Sequence, residues 1–276
     1  MPLWLFELLC LCVIGLTLTV EARRRPLREL VRDYLSLAMA GWIGEQTCIA
    51  LYHHYTYASG WHGRLGDVPV LVPLIWPLVI LSARDVARCL APEGTGARCL
   101  VVALVVFVDA SMVEVLAVRA ELWSWAEPGH LGVPLIGILG WAFFAGCADL
   151  ALSWRSRWRH LALLVLVPLA AHALILSSWW GGLRWTLRGA LEPGSLIAAA
   201  IFSAALTGTA LALRRRGIGI ELKVAWPRMI AASLFFALLL TTAAREASLW
   251  AHVVAVALPY FAATRFGASS RPSAHC

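Results

Sequence analysis

Five carboxylates stand where an apolar chain can least tolerate charge: Glu7, Glu45, Asp109, Glu114 and Asp149 all fall inside long apolar runs. Ionised side chains are costly in hydrocarbon and persist where they face a bundle interior or a water-filled cavity, so each is either a working acid or a buried partner in an ion pair. Glu45 and Asp109 lie about ten residues from the inner end of their runs, roughly 15 Å deep at the α-helical rise. Glu114 sits farther along the run that holds Asp109. Asp149 comes near a run's end beside Arg155 and Arg157, where a plain ion pair is the simpler reading. Glu45, Asp109 and Glu114 are therefore the candidate catalytic acids, able to give a proton to a substrate held in the membrane.

Aromatic and polar side chains gather toward the outward ends of the same runs. Trp42, Glu45, Ile49 and Tyr52 share one helical face, and His53, His54, Tyr55 and Tyr57 follow. Ser111, Glu114, Val118, Glu121 and Trp125 form a comparable stripe if their helix continues past Arg119. Asp109 points about 140° away from Glu114 around a helix, so the two cannot both face one site directly. Residues placed to line a substrate site are Trp42, Tyr52, His53, His54, Tyr55, Arg119, Trp123, Trp125 and Trp141. An aromatic belt at the bilayer boundary accounts for many of the 14 tryptophans. It does not explain why His53–His54 and Trp123–Trp125 adjoin runs that carry acids, whereas an aromatic pocket opening outward does.

Other chemistries lack their motifs. There is no HxxHH or HxxxH box for a di-iron centre, no DDxxD for magnesium diphosphate, no P-loop and no GxSxG elbow. Seven cysteines without a CxxC suggest neither a zinc ribbon nor a disulfide framework. No metal and no cofactor is expected.

The elements that must position these residues are membrane helices. Only 14% of the 276 residues are charged, against about 25% in soluble domains. Nine apolar runs are long enough to be spans: 3–20, 34–53, 68–83, 99–118, 131–153, 161–180, 196–213, 229–244 and 249–264. The expected fold is all-α, one polytopic bundle of eight or nine transmembrane helices over 1–266, with 267–276 a short disordered cytoplasmic tail. Most of the 23 basic residues fall in one alternate set of loops, and the other set keeps only Arg64, Arg119, Arg184, Arg188 and Arg245. The positive-inside rule then puts the N-terminus outside and the C-terminus inside. The net charge of +7 is thereby a matter of topology, and no nucleic-acid partner is expected. No internal repeat stands out. Pro69, Pro73 and Pro77 recur every four residues and predict a kinked third span.

The order of the pieces carries a likeness. Gly41–Trp42, Glu45, the cluster from Tyr52 to Tyr57, Val68–Pro69 and Trp76–Pro77 are followed by Asp109, Glu114, Leu122–Trp123–Ser124–Trp125, Gly132–Val133–Pro134 and Gly140–Trp141. Over about 41–144 the chain resembles the carotenoid biosynthesis membrane proteins that include the carotenoid hydratases of the bacterioruberin and myxoxanthophyll pathways. It departs from those hydratases at Gly137–Ile138, where they carry an Asn-Phe pair. The resemblance implies a lyase of the prokaryotic plasma membrane that adds water to a terminal C=C of a carotenoid or polyisoprenoid. It implies membrane lipids and other carotenoid-pathway enzymes as partners. A buried carboxylic acid suits protonation of carbon, and Trp and Tyr faces suit the tertiary cation that results. A non-catalytic carotenoid- or lipid-binding membrane protein that organises a biosynthetic complex stays open as the alternative, favoured by Gly137–Ile138. A transporter is a third reading, weakened by the lack of paired broken helices.

Overall fold

Each of the nine apolar runs becomes a helix. In the computed structural model, which describes residues 1–91, 94–127, 129–187 and 194–265, the helices are α1 (Leu3–Ala22), α2 (Leu27–Tyr52), α3 (Leu71–Leu90), α4 (Thr95–Arg119), α5 (Leu135–Leu152), α6 (Arg159–Ile175), a four-residue α7 (Arg184–Leu187), α8 (Gly194–Arg215), α9 (Leu222–Thr242) and α10 (Ala247–Ala263). A π-helical stretch, Leu176–Leu183, carries α6 into α7. Six of the described helices are long and apolar enough to cross a membrane: α1, α4, α5, α6 with its continuation, α8 and α9. Helices α2 and α3 are as long but carry more charge, Arg28, Glu29, Arg32 and Asp33 on one and Arg84, Asp85 and Arg88 on the other. The protein is an all-α membrane bundle. The expected tail, 267–276, lies outside the described residues.

Helices α2 to α6 pack successively on one another. Between helices in lipid, close approach of small residues replaces the hydrophobic drive of water. Ala83, Ala87, Ala145, Ala148 and Ala151 accordingly fill the core beside Leu37, Ile80, Val106 and Leu163. A Cβ at Gly146 on α5 would stand 3.2 Å from the Ala103 methyl on α4, so glycine sets the separation of that pair.

Buried charge then fixes the order of the helices. Asp149 on α5 is fully buried between Arg84 of α3 at 3.2 Å and Arg98 of α4 at 3.1 Å. The expected ion pair is thus present with different partners, because α3 and α4 flank α5 more closely than the Arg155–Arg157 turn does. Asp33 on α2 is bridged to Arg159 on α6 at 2.6 Å.

The proline expectation needs correction. Pro69 precedes α3, and Pro73 lies in its first turn, where a missing N–H breaks no intrahelical bond. Pro77 alone of the three interrupts the helix interior.

Short strands fold over one end of the bundle. Strand β1 (Tyr55–Tyr57) pairs antiparallel with β4 (Trp123–Trp125), and β2 (Arg64–Leu65) with β3 (Val68–Pro69). At the opposite end β5 (Ile220–Glu221) runs parallel to β6 (Thr264–Arg265). Helix α4 stops at Arg119, and left-handed Glu121, φ 56°, turns the chain back. Trp125 therefore reaches Glu114 by reversal of the chain and not along the helical stripe read from the sequence.

Candidate active site

Glu45 sits on α2 about two turns before the helix ends at Tyr52. His53 is left-handed, φ 51°, and sends β1 back over the helix terminus. Alternation along that strand turns Tyr55 and Tyr57 inward and Thr56 outward. Both phenols donate to Glu45 Oε2, Tyr57 at 3.0 Å. The indole Nε1 of Trp76 on α3 donates to Oε1 at 3.1 Å. A Cβ at position 41 would come within 2.7 Å of the Trp76 ring, so Gly41 is what lets the indole lie against α2. Burial first, and then the neighbouring Glu45 charge, hold both phenols well above the ordinary tyrosine pKa, so each keeps its proton.

Glu114 on α4 is caged the same way by three indoles. Trp123 Nε1 donates to Oε2 at 2.8 Å, Trp125 Nε1 to the same oxygen at 3.0 Å, and Trp141 Nε1 on α5 to Oε1 at 2.7 Å. The carboxyl is 2% exposed. Here Gly137 supplies the room: a Cβ on it would stand 2.5 Å from Trp125 Cζ2.

The two cages are copies of one device. Each runs from an acid near the C-terminal end of a helix through a left-handed residue, His53 or Glu121, to an aromatic-x-aromatic strand. A tight turn follows, bridged Leu65 to Val68 in one copy and His130 to Val133 in the other. Next comes Val-Pro, and seven residues after the proline a tryptophan that returns to the acid. The register Tyr55↔Trp125, Thr56↔Ser124, Tyr57↔Trp123 maps onto itself when the copies are exchanged. A local two-fold axis therefore passes between Thr56 and Ser124, whose hydroxyls are 3.2 Å apart, and between Trp76 and Trp141, whose ring centroids are 4.6 Å apart. The expectation of no internal repeat is overturned. Drift in spacing hid the duplication: the acid-to-ring separations are 10, 12 and 31 residues in one copy and 9, 11 and 27 in the other.

Of the other residues singled out from sequence, Tyr52 bonds His172 Nδ1 at 3.0 Å, and Thr47 holds the other ring nitrogen at 2.7 Å. His54 is buried against the Tyr52 ring. Trp42, His53 and Arg119 stand apart from the cages. Trp42 Nε1 donates to the Leu65 carbonyl at 3.0 Å, His53 is exposed at the turn, and Arg119 pairs with Glu246 at 3.0 Å. Asp109 also stands apart from both acids, ion-paired to Arg228 of α9 and bonded by the Tyr260 hydroxyl of α10. Glu7 of α1 accepts from the His62 backbone at 2.9 Å and contacts its ring at 2.6 Å. Tyr57 and Trp76, though quoted from the sequence, were not placed among the residues lining the site. The repeated Val-Pro-x6-Trp was the signal that would have found Trp76.

Two cavities flank the cages, and the axis relates them. One, of about 350 Å³, lies beside α3 and α4 and reaches Tyr57 and Trp123; its walls are mostly apolar, with Phe6, Ile75, Val79, Met112 and Phe235 among them, and the paired Asp109 and Arg228 also border it. The other, of about 70 Å³, lies beside α2 and α5 and reaches Tyr55 and Trp125. Glu45, His54 and His172 border it, and α6 closes it. Trp76 and Trp141 are walls of both.

A family model described as carotenoid biosynthesis protein matches residues 3–206. No curated protein and no solved structure matches the chain.

Proposed function

Because the chain belongs to the carotenoid biosynthesis protein family, we propose that it is a hydratase that adds water to a terminal C=C of a carotenoid or related polyisoprenoid. One observation carries this reading: Tyr57, Trp76, Trp123 and Trp141, the rings that hold the two caged carboxyls, wall an apolar cavity large enough for a polyene end group. The alkene end enters from the lipid side and meets the faces of Trp76, Trp123 and Trp141. A carboxylic acid gives its proton to the CH carbon of the double bond, leaving a tertiary cation over the indole faces. Water bonds to the cation and returns a proton to the carboxylate, so the acid is restored and the net change is one added water.

Hydrogen-bond chemistry divides the work between the acids. All three partners of Glu114 are indole N–H groups, which only donate and so match an ionised carboxylate facing a cation. Glu45 is held partly by phenols, which can also accept from a protonated carboxyl, and it borders the small cavity. Glu45 is the proton donor and Glu114 the fixed counter-charge. Asp109, neutralised by Arg228, takes no part in proton transfer. The loop end that carries the cages faces outward, on the positive-inside count, in the plasma membrane of a prokaryote, beside other enzymes of the pathway.

Expression in a polyene-producing host tests the reading: extracts should contain a product heavier by one water, lost in Glu45→Gln and in Glu114→Gln and kept in Asp109→Asn protein that folds. Binding without turnover is the second reading, favoured by Gly137, where the hydratases carry asparagine and Trp125 fills the space. Unmodified pigment co-purifying with the wild-type chain would support that instead.

A further inference from the structure

The two-fold makes the cavities equivalent in origin, so their differences are informative. Positions Val113, Val72 and Ile75 on the wide side correspond to Gly44, Gly137 and Gly140 on the narrow side. Glycine at those three places lets Trp125 and α6 close in, which leaves about 70 Å³. A water molecule needs roughly 10–15 Å³ of such volume and two to four polar partners. The narrow cavity has room for a few waters and none for an isoprenoid group.

Its polar groups suit that occupant. His54 is 8% exposed, borders the cavity, and has an Nε2 atom with no hydrogen-bond partner among the described residues. Glu45 and Tyr55 line it as well. His172 turns both ring nitrogens to Thr47 and Tyr52, which fixes the far side without occupying the space. A buried polar atom of this kind is costly unless something bonds it, and water is the ligand that fits the volume.

We propose that the narrow cavity, bounded by Glu45, His54 and Tyr55 and closed by Ala171 of α6, is a water-binding chamber. It rests on the hydratase reading for its role, which is to supply water to the substrate past the Trp76–Trp141 pair that borders both cavities. A duplicated half-site has thus been divided into a wide apolar arm for the alkene and a narrow polar arm for the nucleophile.

The test separates the chamber from the reaction. In X-ray radiolytic footprinting of the full chain in detergent, water bound beside a buried side chain yields hydroxyl-radical labelling there. His54 and Tyr55 should label well above Tyr34, a buried residue that borders neither cavity. Ala171→Phe, which fills the chamber, and His54→Phe, which removes the partnerless nitrogen, should each lose the remaining chamber labelling and the hydrated product, while pigment still co-purifies. Labelling of His54 and Tyr55 no higher than Tyr34 overturns the chamber, as does wild-type hydration by folded Ala171→Phe protein. A wild-type chain that labels both residues yet forms no hydrated product upholds the water site and removes the hydratase reading alone.

Discussion

Gly137→Ala isolates the tightest contact in the second cage. The added methyl would lie 2.5 Å from Trp125 Cζ2 and 2.7 Å from Cη2, well inside van der Waals contact. The indole cannot swing away freely, because Trp125 is registered against Tyr55 in the strand pair, its ring centroid lies 4.8 Å from that phenol ring, and its Nε1 donates to Glu114. Overpacking of this kind costs about 1–3 kcal/mol, and forfeiting the Trp125 hydrogen bond to a charged acceptor adds roughly 1.5–3 kcal/mol. A loss of about 2.5–6 kcal/mol, several degrees in Tm, is expected for the detergent-solubilised protein. The sharper measurement is a double-mutant cycle with Trp125→Ala, where the methyl meets no ring and should cost little, giving a coupling close to the whole single-mutant loss. Additive effects across that cycle would refute the packing argument. At the equivalent position of the other copy, Val72 is accommodated because it faces the wide cavity.

Two further perturbations follow from the same structure. Asp109→Asn leaves the Arg228 guanidinium, 9% exposed, without its counter-charge, and should destabilise the protein by about 3 kcal/mol; an unchanged Tm, or loss of product from protein that stays folded, contradicts the assignment. Burial, and next the adjacent His252, lower the pKa of His130 from 6.5 to about 4. Between those values the unfolded chain binds a proton that the folded chain refuses, so stability is full above pH 6.5, falls as the pH drops toward 4, and levels off below. Tm measured across that window should show this slope, reduced in His130→Gln; an identical slope in the variant would refute it.

Much of this architecture could be read from residue order. Apolar runs separated by arginines gave the helices, since backbone satisfaction in lipid leaves few alternatives. Glu45 and Glu114 were identifiable because an acid in a span needs a reason to be there. What stayed hidden depended on chain reversal. Trp125 looked like the next member of a helical stripe, yet the turn at Glu121 brought it back from a strand. Trp42 shares a helical face with Glu45 but spends its N–H on the Leu65 carbonyl. Asp109 looked like a third acid because Arg228, more than a hundred residues away, cannot be paired with it by local spacing. The duplication escaped notice because tyrosines in one copy stand for tryptophans in the other and the spacings drift.

Isotope tracing with purified protein and a linear polyene tests the central claim most directly. Run in deuterium oxide enriched in oxygen-18, the wild-type reaction should give a tertiary alcohol whose oxygen comes from water and which carries one carbon-bound deuterium on the adjacent carbon, with no such product from Glu45→Gln. An alcohol whose oxygen comes from dioxygen, or one lacking the carbon-bound deuterium, or undiminished product from Glu45→Gln, would contradict it.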